Sequence, residues 1–268
     1  MPAPKNMVEV IERQAEVPRG PEERFSGYGV VGLPFKSGHI LALRRWPASS
    51  LGQSYTSVWH RNPAGRWTFI QDAPPQQACT RYFGSAVSQY LTSDIGITWT
   101  GEWNFSVDIP GEYEVHWQVS LEENFTTQML NALGGLIPDF LWRRQTFLRL
   151  LERLGGSVMG SGRMSLTGRL PNGQRFVTQP RYMWNIAATQ ARVRGQDLGE
   201  MGPLAQQARL GDFWIPQQGR FFIGKAFLES FDPDRHLTVF AQEGCSPCRE
   251  YHSWAYVSRD SWPQGNQI

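Results

Sequence analysis

The stretch RFFIGKAFLESF, Arg220 to Phe231, alternates like a β-strand but places a lysine inside an apolar run. With the two-residue period of a strand, one face carries Phe221, Ile223, Lys225, Phe227 and Glu229. An unpaired charge is costly to bury, so the lysine needs a partner, water or a ligand. Either its stem packs on phenylalanine while the ammonium reaches solvent, or the ammonium faces a wet cavity. In the second case the lysine binds a ligand carboxylate or carbonyl, and with a carbonyl it can form a Schiff base.

The same two-residue period runs through most of the chain. It is clearest in EYEVHWQVSLEE, residues 112–123, where apolar and polar side chains alternate strictly. His116 falls on the polar face, which is either solvated or, in a barrel, a polar lumen. Turn-forming stretches such as NPAGR, IPGE and LPNGQ separate successive runs at hairpin spacing. The pattern predicts a mainly antiparallel β protein.

One segment, FTTQMLNALGGLIPDFLWRRQTFLRLLERLGG at residues 125–156, has a helical period instead. Pro138 suits a first helical turn, and Gly155 suits a C-terminal cap. An apolar stripe lies opposite a row of arginines. The segment therefore predicts amphipathic helices between two β-rich parts.

The chain thus divides into an N-terminal arm at 1–24, a β-rich half at 25–124, a helical connector at 125–158 and a second β-rich half at 159–268. About a dozen strands need a closed or sandwiched arrangement, because open sheet edges invite unwanted pairing. We therefore expect a mainly β fold, with two lipocalin-like antiparallel β barrels or sandwiches joined by the helical segment.

Composition narrows the class of function. A net charge of +2 over 268 residues implies no general field for polyanions, so no nucleic-acid partner is expected. The N-terminus lacks the apolar core of a secretory signal, and no run approaches the roughly 20 apolar residues of a membrane span, so a cytoplasmic protein is expected. Eleven tryptophans and fifteen phenylalanines favour either a large β core or the lining of an apolar cavity.

Three stretches carry a family resemblance: RNPAGRWTFIQDAP, ITWTGEWNFSVDIPGEYEVHWQVSL and GRMSLTGRLPNGQRF. As a pattern of elements over residues 28–240, the chain resembles the tandem lipocalin-like proteins that include bacterial carotenoid 1,2-hydratases. The resemblance implies a pocket for an apolar small molecule. No catalytic motif of that family matches residue by residue, so the resemblance assigns no site residue.

Motifs for metal and cofactor chemistry are weak. CSPC, Cys245 to Cys248, followed by His252 could hold zinc with Cys79 or water as the fourth ligand. The second cysteine or histidine pair of a zinc signature is missing, so surface thiols in a turn are the favoured interpretation. Phosphate-binding loops, nucleophile elbows and metalloprotease motifs do not occur. No metal and no cofactor are predicted.

Three residues are the candidates for cofactor-free acid–base chemistry. Lys225 is the first. His60, at a strand end in SVWHRNP, is either an acid or base at a cavity mouth or a solvent-exposed strand end. Asp212, just before Phe213 and Trp214, is either a general acid with a pKa raised by desolvation or a turn residue that caps backbone amides.

The expected function is binding of a hydrophobic small molecule in an aromatic-lined cavity. The candidate ligand-binding residues are Trp59, Trp184, Trp214, Phe221, Phe227 and Glu229. If the protein transforms its ligand, the residues suit a metal-free lyase, isomerase or cyclase that hydrates, isomerises or cyclises an isoprenoid, polyketide or fatty-acyl compound. The alternative is a peripheral membrane or partner-binding protein that uses segment 125–156. A third interpretation, a purely structural domain, predicts no cavity.

Overall fold

The computed structural model describes residues 2–138, 141–158, 160, 162–238 and 242–243. The fold is mainly β, as the two-residue period predicts. The α-helices are α1 (Pro4–Gln14), α2 (Thr80–Phe83), α3 (Phe125–Leu136) and α4 (Gln145–Val158), and 3₁₀ turns lie at Pro75–Gln77, Gly84–Ala86 and Leu141–Arg143. The strands are β1 (Glu23–Pro34), β2 (Ile40–Ser49), β3 (Tyr55–Arg61), β4 (Trp67–Gln71), β5 (Gln89–Thr92), β6 (Gly96–Trp99), β7 (Asn104–Ile109), β8 (Val115–Glu122), β9 (Thr167–Arg169), β10 (Arg175–Val193), β11 (Gln196–Asp197), β12 (Arg209–Leu210), β13 (Phe213–Trp214), β14 (Arg220–Leu228) and β15 (Gln242–Glu243).

Strands from both halves of the chain share one sheet. Its order is β15-β5-β4-β3-β2-β1-β14-β10-β8-β7-β6, with β9 and β11 also paired to β10, while β12 and β13 form a separate ribbon. Among the described strands, only the pairs β4–β5 and β5–β15 are parallel. The expectation of two separate barrels or sandwiches is therefore not confirmed, because β1 of the first half pairs directly with β14 of the second.

Strand β14, the stretch RFFIGKAFL, joins the two arms of the sheet. Gly224 lies opposite Gly27 on β1 and opposite Pro180 on β10. A Cβ at Gly224 would lie 2.2 Å from the carbonyl oxygen of Gln179, well inside van der Waals contact. This close approach needs glycine, so Gly224 is a packing requirement of the β10–β14 ladder.

Two cores lie on opposite faces of the sheet. On β2, Ile40 and Ala42 contribute to the first core, while Leu41 and Leu43 contribute to the second. The second core also contains residues of β7 and β8, although β8 stands four places from β2 in the strand order. The sheet therefore curls, so that its two arms face each other across the second core. The first core is covered by α2 and by the β12–β13 ribbon.

The segment with the helical period, residues 125–156, contains the helices α3 and α4. On α3, the Asn131 side-chain amide donates to the carbonyl oxygen of Met183 (2.9 Å) and accepts from its backbone N–H (2.7 Å), so it pairs with β10 as a strand would. On α4, the Glu152 carboxylate accepts from the backbone N–H groups of Leu166 and Thr167. Both helices are thus tied to the sheet by polar contacts to its backbone.

Replacing Gly224 by alanine tests the role of this glycine. The added methyl group would overlap the Gln179 carbonyl, so we expect Gly224→Ala to lower the free energy of unfolding by roughly 1–3 kcal/mol. Gly96→Ala on β6 is the matched control, since its Cβ would have 3.6 Å of room. Urea denaturation of both variants measures the difference, and equal stabilities would show that the ladder relaxes around the methyl group.

Candidate functional site

Arg44 is a charged residue inside the first core. It lies on β2 between Ala42 and Trp46, on the face that packs inward, and is 5% exposed. Its guanidinium donates to the backbone carbonyl oxygens of Val30, of Leu43 (2.8 Å) and of Val31 (3.1 Å). The β1–β2 register shifts between Val30 and Leu33, so Arg44 supplies donors where the bulge interrupts the ladder.

The Arg44 guanidinium is enclosed by aromatic rings. Its Cζ lies 4.5 Å from the ring centroid of Trp59 and 5.5 Å from those of Phe213 and Phe222. Such contacts stabilise a cation through the ring quadrupole. Within the described part of the chain, Arg44 forms no ion pair with a carboxylate. Burial lowers the pKa of Arg44 to about 10, so the side chain still carries its charge at neutral pH.

Two small cavities meet at Arg44. Cavity A is lined by Trp46, Met164, Phe213, Trp214, Phe222 and Lys225, among others. Cavity B is lined by Tyr55, Trp59, Cys79, Tyr82, Phe83 and Phe176, among others. Arg44, Trp46, Thr178 and Phe213 border both. Each has a volume of about 60 Å³, enough to admit small molecules on either side of Arg44.

Two polar groups of cavity B beside Arg44, the Tyr55 hydroxyl and the Cys79 thiol, are neutral. The Tyr55 hydroxyl and the Cys79 thiol lie 3.6 Å apart, and burial raises the pKa of both groups. Neither therefore ionises near neutral pH, so neither neutralises the charge of Arg44. A protonated thiol is also a poor nucleophile, which disfavours covalent chemistry at Cys79.

Three of the predicted residues line these cavities. Lys225 and Trp214 border cavity A, and Trp59 borders cavity B. Lys225 is half-buried and lies opposite Gln179 on β10 and Ser26 on β1.

The other predicted ligand-binding residues lie elsewhere. Phe221 and Trp184 pack against each other in the second core, with ring centroids 6.0 Å apart. Phe227 is buried but lines neither cavity. Glu229 follows the end of β14, and its carboxylate pairs with Arg235 at 2.9 Å. The structure therefore does not bring Glu229 and Lys225 into one cavity.

Asp212 is an exposed turn residue rather than an acid wedged among aromatic rings. Its carboxylate accepts a hydrogen bond from the backbone N–H of Arg169 at 2.9 Å. The capping alternative thus describes Asp212, because the ribbon β12–β13 buries Phe213 and leaves the preceding turn in solvent.

His60 is buried, so the interpretation as an exposed strand end is wrong. Its Nε2 lies 2.8 Å from Nδ1 of His39, and its Nδ1 lies 2.7 Å from the Tyr113 hydroxyl. Burial lowers the pKa of His60 to about 4. His60 follows Trp59 on β3 and therefore points to the opposite face, away from cavities A and B. It forms a structural polar network behind the site.

His116 lies on a solvated face. It is exposed, and hydrogen bonds to Asp108 (3.0 Å) and Glu114 (2.5 Å) raise its pKa. The polar side of β8 is therefore an outer surface and not a polar lumen.

Sequence reasoning missed Arg44. The signal was present in HILALRRWPA, since alternation places Arg44 on the face of Ala42 and Trp46, as it places Lys225 among apolar residues. Because Arg44 and Arg45 are adjacent and both faces of β2 carry apolar residues, the sequence does not show which arginine is buried. The structure resolves this, because Arg45 lies on the other face and pairs with Glu12 of α1 at 2.9 Å.

The described residues offer no metal centre. They contain no cluster of three or more histidine, cysteine, aspartate or glutamate side chains placed to hold a metal ion. Cys79 is buried beside Tyr55, and the CSPC motif with His252 lies outside the described residues. None of the helices in the described ranges is long and apolar enough to cross a membrane.

Comparisons with known proteins give little. No family model matches the chain, and no curated protein matches it. Among solved structures, acetoacetate decarboxylase from Legionella pneumophila subsp. pneumophila str. Philadelphia 1 is 11% identical, with coverage of 85% of this chain and 95% of that chain and a TM-score of 0.37. A TM-score this low supports no conclusion on fold or activity. The resemblance to tandem lipocalin-like proteins receives no support from these comparisons.

The pKa of His60 predicts how stability depends on pH. The unfolded state takes up a proton as the pH falls below about 6.5, whereas folded His60 does so only near 4. The free energy of unfolding therefore decreases as the pH falls from about 6.5 to about 4, by about 3 kcal/mol for His60. The pKa of His39 is also lowered, so His39 adds to this decrease. We expect His60→Gln to reduce the loss measured by urea denaturation between pH 7 and 4.5.

His116→Gln is the control, because that exposed histidine has a raised pKa and does not cause acid destabilisation. An equal loss in the wild type and in His60→Gln would contradict the assignment to His60.

Proposed function

We propose that the protein binds a compact hydrophobic small molecule in cavities A and B. The observation that carries the proposal is a pair of aromatic-lined cavities that meet at one buried cation. Ligand sites are typically apolar concavities with a few placed polar groups, and this pair has that character on a small scale. Arg44, Thr178 and Tyr55 are among the polar groups here, and Lys225 borders cavity A.

The small volume limits the ligand. About 60 Å³ on each side of Arg44 suits a short chain, or one end of a longer isoprenoid, polyketide or fatty-acyl molecule whose remainder lies outside. A compact ligand is therefore the simpler proposal.

Binding is better supported than catalysis. Of the three candidates for acid–base chemistry, only Lys225 borders a cavity, while Asp212 and His60 lie elsewhere. Hydration, isomerisation or cyclisation of the ligand stays a prediction, with Lys225 as the one candidate in place.

Xenon is a suitable first probe, since it occupies small apolar cavities without needing polar contacts. We expect xenon to shift the methyl NMR signal of Met164, which lines cavity A, and to leave that of Met129 on the exposed side of α3 unchanged. Ser165→Phe, which places a ring in cavity A, should abolish the shift. Ser88→Phe is the matched control on the surface.

A Met164 signal that ignores xenon in the wild type would count against an accessible cavity. So would a signal that responds equally in Ser165→Phe, because the ring fills the proposed space.

A second candidate function is contact with a membrane surface, and the exposed side of α3 favours it. Phe125, Met129 and Leu136 share one face and are 80%, 45% and 78% exposed. On α4, Leu150 is 52% exposed beside the exposed Arg149. Apolar side chains next to arginines suit the boundary of an anionic bilayer.

Co-sedimentation with vesicles of anionic phospholipid tests this candidate. We expect the wild type to pellet with the vesicles and the double variant Phe125→Ser/Leu136→Ser to stay in the supernatant. Val10→Ser on α1 removes a comparably exposed apolar residue and serves as the control. Wild-type protein that remains in the supernatant would remove the candidate.

A further inference from the structure

We propose that the ligand of cavities A and B is a small carboxylate, held by two N–H groups of Arg44 that no protein acceptor uses. This inference rests on the proposed function and adds the chemical class of the ligand. It follows from the hydrogen bonds of the guanidinium, from its charge and from the size of the space around it.

The hydrogen bonds of Arg44 leave two donors over. A guanidinium has five N–H groups. Both groups on Nη1 donate to carbonyl oxygens, of Val30 and Leu43, and one group on Nη2 donates to Val31. The Nε–H and the second Nη2–H have no acceptor among the described residues. Nε and Nη2 form the side-on fork that matches the two oxygens of a carboxylate.

The charge of Arg44 is also uncompensated by an acid. Burial of a cation is costly, and aromatic contacts recover only part of that cost. Carboxylates of the described residues do not reach it, and the neighbouring Tyr55 and Cys79 stay protonated. An anionic ligand would complete the site.

A purely structural role explains less. Arg44 does satisfy carbonyl oxygens at the β1 bulge, but an uncharged amide could donate to such acceptors without bringing a charge into the core. The choice of a cation, with two of its N–H groups unused and both cavities at its side, points to an anion.

The surroundings limit the rest of the ligand. Cavity A is lined mostly by aromatic and aliphatic side chains, with Ser165, Thr178 and Lys225 as its polar members besides Arg44, so the part beyond the carboxylate must be largely apolar. A volume of about 60 Å³ on each side suits a tail of one to a few carbons. Short aliphatic monocarboxylates therefore fit best.

Paired ligands of equal shape provide the test. Acetate and propionate are compared with acetamide and propionamide, which lack only the charge, in NMR titrations that follow the Met164 methyl signal at pH 7 and constant ionic strength. We expect the carboxylates to bind at least about tenfold more tightly than the amides, as charge-assisted hydrogen bonds are the stronger kind. Equal affinity of acid and amide would overturn the inference.

Matched variants locate the effect. Arg44→Gln keeps an amide donor for the bulge but removes the charge, and we expect it to lose the preference for carboxylates. Arg45→Gln changes the neighbouring residue, which faces α1, and should keep the preference. A preference retained in Arg44→Gln would refute the role of Arg44.

If Arg44→Gln does not fold, Arg44→Lys is the second variant, because it keeps the positive charge but removes the planar guanidinium. We expect propionate to bind Arg44→Lys more weakly than the wild type, with propionamide affinity unchanged. Equal propionate affinity in the wild type and in Arg44→Lys would contradict the proposal.

The proposed function and this inference can fail separately. If xenon enters cavity A but neither carboxylate binds better than its amide, the proposal of an accessible cavity is retained and the proposed preference for carboxylates is wrong. If xenon and all four organic probes leave Met164 unchanged, both are wrong.

Discussion

The double pairing of β14 is the constraint on which the rest of the structure depends. One strand of nine residues forms ladders with β1 on one side and β10 on the other, and so joins two segments about 155 residues apart in sequence. Gly224 permits the approach, since any side chain would meet the Gln179 carbonyl. With β14 in place, the strands of both halves form one continuous sheet, which curls and has one hydrophobic core on each face.

The candidate site depends on the bulge in β1, the strand that pairs with β14. The bulge in β1 leaves carbonyl oxygens turned away from the β1–β2 ladder, and Arg44 of β2 meets them from within the first core. A cation thereby lies among Trp59, Phe213 and Phe222. Buried charge is tolerated where hydrogen bonds and rings surround it, and a binding site is one common reason for such an arrangement.

Local pattern predicts some features well because their causes are local. Alternation identifies the strands and the two faces of β8, and a helical period identifies segment 125–156. The same reasoning leaves two interpretations open for Lys225 and for Asp212, and it gets the exposure of His60 wrong, because exposure depends on what covers a residue. A ribbon leaves Asp212 outside, and Tyr113 and His39 cover His60.

The sequence by itself determined that the chain is mainly β, that a helical period follows β8 and which side chains of a strand share a face, since these depend on neighbours two to four residues away. Only the tertiary structure decided that the two β-rich halves share one sheet and that Arg44, rather than Arg45, points into the core. Both depend on pairing between β1, β2 and β14, which are distant in the chain. Backbone hydrogen bonds are the same for every sequence, so the choice of partner strand comes from how side chains pack across the finished sheet.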